Sequence, residues 1–309
     1  MLKIQNAKKF IKDKDYRFKV LALNGLFSRM PDEEYIKKMY RARMGKELNL
    51  TNPKTLNEKL QWLKIHDHSP LYSRLVDKYE VKAFVGNLIG YEYIIPTIGV
   101  WDKFDDIDFS KLPNQFVLKC THDSHSLVIC KDKNTLNIQE TKKRIQKALN
   151  QKYYLRYREW AYKNVPHRII AEKYIEDETG FLTDYKFYCF NGKPEYVLSC
   201  YDRMMGETKY YFFDRNWQLK RINKQGMEAP EGFTKPKPDN LDKMFELAEI
   251  LAKASGAPFI RVDFYNVQGQ LFFGELTLYP VAGFDMKRLP ETDELFGEKV
   301  DLSKIHNSL

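Results

Sequence analysis

Two carboxylates and a guanidinium alternate along two strand-like segments near the end of the chain, FIRVDFY and QLFFGELTL. A three-residue connection, 267–269, joins them, with glycine where a left-handed residue is expected; this register pairs Arg261 with Glu275. Because side chains alternate along a strand, one face of the hairpin would carry Arg261, Asp263, Glu275 and Thr277. Carboxylates on rigid strands suit Mg²⁺ shared with nucleotide phosphates, and an adjacent Arg stabilises transferring charge. An exposed sheet face with an ordinary Arg-Glu cross-strand pair is the alternative.

A second hairpin adds more charged groups. The Asn191-Gly192 dipeptide between two strand-like segments predicts a two-residue turn. That register places several polar side chains on one face, namely Asp184, Lys186, Ser199 and, if the strand extends that far, Arg203. Lys119 lies inside the apolar segment QFVLKC, where an unpaired ammonium is costly unless it reaches solvent, an anion or a carboxylate. A lysine on an outer strand is the alternative interpretation of Lys119.

The elements before residue 114 are predicted to be mainly helical. In LNEKLQWLK the leucines recur at helical spacing, after a plausible N-cap at Asn52 or Thr55. A second helix is predicted over 74–88, ending near Gly90, before the strand-like YEYIIPTIGVW.

From residue 114 onwards the pattern changes to strands. Strand-like segments are QFVLKC, LVICKDK, RIIAEKYI, DYKFYCF, EYVLSCYDR and KYYFFD. Helices are predicted over 139–150 and in LDKMFELAEILAKAS, which Gly256 ends. Strands and helices mix without strict alternation, so the sequence predicts an α+β fold rather than a doubly wound sheet.

Composition narrows the class of protein. Hydrophobic residues make up 43% of the 309 residues and no low-complexity segment is present, which predicts a folded globular protein. The net charge of +9 favours anionic partners, but the basic residues are spread along the chain, so nucleic acid is not an expected partner. No stretch approaches the roughly 20 apolar residues of a transmembrane helix. Four cysteines without CxxC spacing are typical of a reduced compartment, so we expect a cytoplasmic protein.

An ordered set of motifs resembles the ATP-grasp superfamily. The set comprises VDK at 76–78, FVLK at 116–119, AEKYI at 171–175 and RVDFY…GELTLYPVAG. More narrowly, LNEKLQWLK, KLPNQFVLKC, EWAYK, RIIAEKYI and DYKFYCFNG resemble the TupA-like branch, which is named for teichuronopeptide synthesis and found in bacterial surface-polysaccharide clusters. The resemblance implies an ATP-grasp fold of two α+β subdomains clasping ATP, at 114–166 and 167–309, after a helix-rich region at 1–113.

The resemblance also implies roles for individual residues. ATP phosphates would be contacted by Lys78 and Lys119, and adenine by the hinge residues Glu172, Lys173 and Ile175. Asp184 matches the ribose-binding acid, with Glu178 as a competitor. The basic groups around the transferred phosphate and acyl group would be Lys186, Arg203 and Arg261. The magnesium ligands would be Asp263 and Glu275, with Thr277 where many relatives have Asn.

This resemblance implies a two-step reaction that needs ATP and Mg²⁺. ATP would phosphorylate a carboxylate, an amine would attack the acyl phosphate, and an amide, ADP and phosphate would leave. The implied carboxylate is a hexuronic acid of a surface-polysaccharide precursor, and the implied amine is an amino acid or amino alcohol. The resemblance is also compatible with peripheral association with a polysaccharide assembly complex.

Other readings of the sequence compete with this one. Asp106-Ile-Asp108 resembles the DxD metal motif of glycosyltransferases, so a glycosyltransferase acting on the same glycans is the second hypothesis, although FDDIDFS also fits a surface turn. A basic, non-catalytic binding protein is the third.

Two further groups have structural as well as functional interpretations. Cys120, His122 and His125 lack the usual spacing of a zinc site, and the histidines are expected to cover phosphate or solvent. Their loop, THDSHS, has no glycine, unlike many relatives. An aromatic group could stack sugar rings or simply pack at helical spacing; it comprises Tyr153, Tyr154, Tyr157 and Trp160.

Overall fold

The computed structural model of the protein describes residues 2–124, 126–177, 182–201, 208–303 and 305. The α-helices are α1 (Leu2–Lys12), α2 (Lys14–Leu23), α3 (Asp32–Met44), α4 (Leu56–His66), α5 (Leu71–Val76), α6 (Glu80–Ile89), α7 (Ile138–Leu149), α8 (Tyr154–Tyr157), α9 (Lys224–Glu228), α10 (Leu241–Ser255) and α11 (Pro290–Lys299). The strands are β1 (Thr97–Trp101), β2 (Phe116–Cys120), β3 (Val128–Cys130), β4 (Ile169–Lys173), β5 (Asp184–Phe190), β6 (Lys193–Tyr201), β7 (Lys209–Phe213), β8 (Leu219–Lys220), β9 (Phe259–Val267) and β10 (Gln270–Thr277).

The strands form two sheets whose neighbouring strands are antiparallel. One sheet has the order β1-β4-β2-β3, and the other has the order β10-β9-β5-β6-β7-β8. Helices α1 to α6 all precede the first strand. The α+β class and the helix-rich N-terminal region are therefore confirmed.

The chain divides into two compact units. The first consists of Met1–Ser69, Lys152–Lys163 and Tyr279–Leu309, and the second of Pro70–Gln151 and Asn164–Leu278. Both sheets lie in the second unit. The predicted subdomain boundaries at 114 and 167 stay a prediction.

In the first unit, α4 begins with a capping box. The Thr55 hydroxyl accepts the backbone N–H of Glu58 at 3.2 Å, and the Glu58 carboxylate accepts the backbone N–H of Thr55 at 3.2 Å. Two otherwise unpaired donors are thereby satisfied, which confirms Thr55 rather than Asn52 as the N-cap. The three leucines of the predicted stripe are all buried: Leu56, Leu60 and Leu63.

The aromatic group around α8 makes ring and polar contacts within the first unit. Trp160 stacks on His68 with ring centroids 4.8 Å apart, and Tyr153 meets Tyr162 edge-on at 4.7 Å. Tyr157 packs against Phe284 at 5.7 Å. These contacts agree with the packing interpretation of the cluster.

One helix was predicted over 74–88, but the structure has two, α5 and α6. The break is stabilised by the Asp77 carboxylate, which accepts the backbone N–H of Tyr79 at 2.8 Å and also pairs with Arg168 at 2.7 Å. The backbone N–H of Lys78 donates instead to the Thr121 carbonyl at 3.1 Å. The single-helix prediction is therefore wrong, because side-chain and loop partners replace the helical hydrogen bonds at this point.

Each sheet of the second unit has its own apolar packing. Phe116, Leu118 and Ile169 form a core with Ile145 of α7. On the six-stranded sheet, Phe187 of β5 packs edge-on against Phe245 of α10 at 4.9 Å. The predicted end of α10 is confirmed, because Gly256 adopts a left-handed conformation with φ of 66°.

Within the described part of the chain, no helix combines the length and the apolar character needed to cross a bilayer.

Candidate active site

The turn between β9 and β10 has two residues rather than the predicted three. Gln268 and Gly269 have φ values of 51° and 82°, and Gln270 lies opposite Val267. Two successive left-handed residues give a turn whose twist matches that of the flanking strands. The predicted three-residue connection is therefore wrong.

A β-bulge at Gly274 then shifts the register of this hairpin by one residue. Glu275 lies opposite Asp263, and Thr277 lies opposite Arg261. The predicted pairing of Arg261 with Glu275 is thus wrong, although the hydrogen bonds among these residues show that they share one face, as predicted. The bulge inserts one extra residue and re-aims the side chains beyond it.

One nitrogen of Arg261 reaches all three predicted metal ligands. Its Nη2 lies 2.8 Å from Asp263 Oδ2, 2.6 Å from Glu275 Oε1 and 3.0 Å from the Thr277 hydroxyl oxygen. Arg261 Nε donates to Asp263 Oδ1 at 2.7 Å, and the Thr277 hydroxyl donates to Glu275 at 3.0 Å. Three oxygen atoms from two strands therefore surround one guanidinium nitrogen.

Lys186 adds a second cation beside Asp263. Its Nζ lies 2.5 Å from Asp263 Oδ2 and 3.4 Å from Asp184 Oδ2. Burial opposes ionisation of Asp263, but Arg261 and Lys186 outweigh it and lower the pKa of this carboxyl. Burial likewise opposes the charge on Arg261, but Asp263 and Glu275 raise its pKa above the ordinary value. Both partners are therefore held in their charged forms.

The hairpin of β5 and β6 also contains a register shift. The Asn-Gly turn places Phe190 opposite Lys193, as predicted. A bulge next to the turn then moves Ser199 opposite Tyr185 instead of Asp184. Ser199 therefore faces away from Asp184 and Lys186, and its predicted place on their face is wrong. Arg203, predicted for the same face, and Glu178, the competing ribose ligand, lie outside the described residues.

Three charged groups meet at the four-stranded sheet. Lys119 Nζ lies 2.5 Å from Glu172 Oε2, and Lys82 Nζ lies 2.7 Å from Glu172 Oε1. Burial opposes ionisation of Glu172, but the two lysines outweigh it and lower the pKa of the carboxyl. Lys119 thus reaches a carboxylate, one of the outcomes expected for it. Lys82 was not among the predicted site residues, because a lysine among the apolar residues of α6 has no sequence pattern that indicates a functional role.

The glycine-free loop after β2 is held by side chains. The Ser126 hydroxyl donates to Asp123 Oδ1 at 2.6 Å and accepts the backbone N–H of Cys120 at 2.6 Å. The Lys78 ammonium donates to the backbone carbonyl of Asp123. Burial lowers the pKa of Lys78, and the nearby Lys119 lowers it further, against the opposing effect of Asp123. The spacing of Asp and Ser within THDSHS could have indicated this turn.

These elements surround one cavity of about 240 Å³. Its lining consists of Lys78, Lys119, Asp123, Ser124, Ser126, Leu127, Asp184, Lys186, Asp263, Tyr265, Gly274 and Glu275. Six predicted site residues are therefore brought together. Arg261 and Thr277 contact the lining carboxylates, and Glu172 contacts Lys119. Lys173 ends β4 with an exposed side chain, and Ile175 lies half-buried just beyond it.

His122 does not lie where the sequence predicted. It is 1% exposed and stacks on His167, with ring centroids 3.7 Å apart and nearly parallel planes. Burial, with a smaller effect of His167, lowers the pKa of His122 to about 4. The expectation that His122 covers phosphate or solvent is therefore wrong, because its ring packs into the interior. His125 lies outside the described residues.

The residues present fit both magnesium and a nucleotide phosphate chain. Two carboxylates and a hydroxyl converging on one cationic nitrogen form a set of hard oxygen donors. Three lysine side chains line the cavity, which suits phosphate oxygens: Lys78, Lys119 and Lys186. The volume is below the roughly 300–1,000 Å³ of typical ligand sites, so the cavity suits the phosphates better than a whole nucleotide. The part of the chain that the structure describes has no metal-binding cluster of three or more His, Cys, Asp or Glu groups.

Comparison with known proteins identifies the family. The family model for TupA-like ATPgrasp matches residues 58–301. Among solved structures, a D-alanine–D-alanine ligase from Bacillus anthracis is 13% identical with a TM-score of 0.41, the match covering 81% of this chain and 68% of that one. The corresponding ligase from Helicobacter pylori is 11% identical with a TM-score of 0.43, covering 81% of this chain and 70% of that one. A search of curated protein sequences finds no match.

A third solved structure is the ATP-grasp ligase PsnB with a minimal precursor, Mg and ADP. It is 9% identical with a TM-score of 0.37, and the match covers 72% of this chain and 57% of that one. At these TM-scores the structural likenesses add no argument of their own. The family match, in contrast, covers far more than half of the chain. The protein therefore has the ATP-grasp α+β fold, is an enzyme of the ATP-grasp class, and belongs to the TupA-like ATP-grasp family.

Proposed function

We propose that the enzyme is an ATP-dependent carboxylate-amine ligase. The observation that carries this proposal is the cavity in which three lysines face two carboxylates held on neighbouring strands, β9 and β10. Phosphoryl transfer depends chiefly on positioning and charge stabilisation, and this arrangement supplies both.

In the proposed reaction, the γ-phosphoryl group of ATP passes to the substrate carboxylate. The bond between the β- and γ-phosphates breaks, and ADP and an acyl phosphate form. An amine then attacks the acyl carbon, phosphate leaves with the bonding electron pair, and the amine loses a proton as the amide forms. Lys78 and Lys119 would bind phosphate oxygens, and Lys186 and Arg261 would stabilise the transferring group and the carboxylate. Arg203 is proposed for the same role.

The remaining predicted residues are proposed to bind magnesium and the nucleoside. Asp263, Glu275 and Thr277 would hold Mg²⁺, which neutralises phosphate charge when bound. Arg261 Nη2 now contacts all three oxygens, so this side chain would have to move aside for direct metal coordination. The adenine hinge is proposed at Glu172, Lys173 and Ile175, and the ribose contact at Asp184.

We propose a uronic acid of a bacterial surface polysaccharide as the carboxylate, and an amino acid or amino alcohol as the amine. The family relationship supports this substrate class, and the cations Lys186 and Arg261 suit an anionic sugar. A cytoplasmic location is proposed with it, because the four cysteines are free thiols, typical of a reduced compartment. Association with a polysaccharide assembly complex is part of the same proposal.

Trapping with hydroxylamine tests the ligase proposal. Hydroxylamine intercepts acyl phosphates as hydroxamates, so the protein would be incubated with ATP, Mg²⁺, hydroxylamine and glucuronosides, galacturonosides or free amino acids. ADP and hydroxamate would be measured by mass spectrometry. We expect both products with a uronoside. Hydroxamate from amino acids alone would overturn the sugar assignment, and the absence of ADP and hydroxamate with every carboxylate would refute the ligase proposal.

The glycosyltransferase hypothesis receives no support from its acidic motif. The Asp108 carboxylate accepts the backbone N–H of Ser110 at 3.0 Å and its hydroxyl at 2.6 Å, and it pairs with Lys111 at 3.3 Å. Asp105, beside the motif, pairs with Lys142 at 2.5 Å. These contacts are those of a surface turn.

A further inference from the structure

Lys82 is a largely buried cation that pairs with Glu172 outside the cavity lining. It lies in the first turn of α6, and its side chain is only 12% exposed. Its Nζ lies 2.7 Å from Glu172 Oε1 and also donates to the Ile95 carbonyl at 2.6 Å. Lys82 is therefore fixed at two points, although it does not line the cavity.

Glu172 links Lys82 to the cavity. Each of its carboxylate oxygens has its own lysine, Lys82 on Oε1 and Lys119 on Oε2. Of these three residues, only Lys119 lines the cavity. Glu172 therefore connects the buried Lys82 to a lysine of the cavity wall.

The charges of this group leave one positive charge in excess. Two ammonium groups and one carboxylate give a net charge of +1 when all three are ionised. Burial lowers the pKa of Lys82, but Glu172 opposes that shift, and both lysines favour the ionised form of Glu172. Without Lys82 the group would be neutral, and Lys119 would be the sole counter-ion of a buried carboxylate.

We propose that Lys82 is a positioning residue for nucleotide binding: by pairing with Glu172, it leaves the charge of Lys119 available to a phosphate. This inference rests on the proposed nucleotide site and names a residue that neither the sequence motifs nor the family match assigns. Lys82 acts through Glu172 and Lys119 and touches no substrate itself. Its effect should therefore depend on the phosphates of the ligand and on the carboxylate of Glu172.

Calorimetric titration of the full chain with Mg²⁺-ADP and with adenosine tests the proposal. For Lys82→Met we expect the Kd of ADP to rise about tenfold, which corresponds to about 1.4 kcal/mol, while the Kd of adenosine changes less than about twofold. Lys82→Arg keeps the charge and should restore most of the ADP affinity. Lys131→Met is the matched control, because Lys131 pairs at 2.9 Å with Glu176 on an exposed surface, and it should leave both affinities unchanged.

A double-mutant cycle separates positioning from simple structural support. In a Glu172→Gln background there is no carboxylate to share, so adding Lys82→Met should change the Kd of ADP by less than about twofold. Neither Glu172→Gln nor the double variant contains the buried Glu172 carboxylate, so neither leaves it short of a partner. Their comparison therefore remains informative even if Lys82→Met alone fails to fold.

Four results would overturn the assignment. One is an equal loss of ADP and adenosine affinity in Lys82→Met, because Lys82 would then act through the adenine hinge proposed at Glu172 rather than through the charge of Lys119. Another is a full tenfold effect of Lys82→Met in the Glu172→Gln background, because Glu172 would then not be the intermediary. If the unmodified protein binds adenosine but not ADP, or binds neither, the proposed function fails and this inference fails with it. Normal binding by the parent with normal binding by Lys82→Met refutes the role of Lys82 alone.

Discussion

Replacing Asp263 by asparagine is expected to destabilise the protein far more than replacing Glu275 by glutamine. Both substitutions preserve shape and remove one negative charge. The Asp263 side chain is 2% exposed and contacts two cations, Arg261 and Lys186, which are themselves mostly buried. The Glu275 side chain is 48% exposed and contacts one of them. The two predicted metal ligands therefore differ in their structural role.

The expected magnitudes follow from burial. Removing one partner of a buried ion pair leaves uncompensated charge and costs about 3–5 kcal/mol, so Asp263→Asn should lower the free energy of unfolding by an amount in this range. An exposed pair contributes about 0–1 kcal/mol, which sets the expected loss for Glu275→Gln. The pKa of Asp263 is lowered from 3.8 in the folded state. The contribution of this carboxylate to the free energy of unfolding is therefore fully present above pH 3.8 and is lost as the pH falls through the folded-state pKa.

Urea denaturation at pH 7, without nucleotide or magnesium, measures this difference. The matched control is Asp105→Asn, because Asp105 pairs with Lys142 at 2.5 Å but its side chain is largely exposed, so the loss should be about 1 kcal/mol or less. Both site variants should lose turnover by orders of magnitude, since each removes a proposed metal ligand. If Asp263→Asn and Glu275→Gln cost the same, and less than about 1 kcal/mol, the argument from buried charge is wrong.

Three further outcomes are expected. Mg²⁺-ATP or Mg²⁺-ADP should raise the melting temperature, because a ligand at a concentration of 100 times its Kd stabilises the folded state by about 2.7 kcal/mol. Lys119→Ala should remove most of that shift. Stabilisation by sugar nucleotides but not by adenine nucleotides would contradict the assignment. Because the pKa of His122 is lowered from 6.5 to about 4, its contribution to the free energy of unfolding is fully present above pH 6.5 and is lost as the pH falls. Between pH 7 and 5 the protein should therefore lose about 2 kcal/mol of stability at most, nearer 1 with solvent screening. Denaturant titrations at both pH values check this, and His122→Gln should show a smaller loss. Thr55→Ala should cost about 1 kcal/mol in thermal unfolding and Thr55→Ser much less, because only the alanine removes the cap of α4.

The sequence predicted the elements better than their register. Local signals such as the Thr55 cap, the Asn191-Gly192 turn and the Gly256 stop act over a few residues, and each was confirmed. The bulge at Gly274 was missed, because an extra residue in a strand is stabilised by pairing across the sheet and leaves no clear local pattern. The same limit explains the error at Ser199.

The predicted site came partly from spacing and partly from resemblance. Period-two alternation placed Arg261, Asp263 and Glu275 on one face, and the structure brings them within hydrogen-bonding distance even though the predicted register was wrong. Lys82 was missed because its partner, Glu172, is distant in sequence and belongs to another element. Long-range pairing of buried charges is not encoded in any local pattern, so only the folded chain reveals it.

The composition of the first unit from three separate chain segments has a consequence for synthesis on the ribosome. Asn57 donates to Asp293 at 2.9 Å across 236 residues of sequence, and Lys59 donates to the Val300 carbonyl at 2.7 Å. At about 5–20 residues per second, α4 emerges roughly 12–47 seconds before these partners exist. During that interval its apolar stripe has no C-terminal segment to pack against, whereas the second unit is complete once Leu278 has emerged, ahead of Asp293 and Val300. The second unit is therefore expected to acquire structure first, and the nascent N-terminal helices are the segment most exposed to chaperones and proteases.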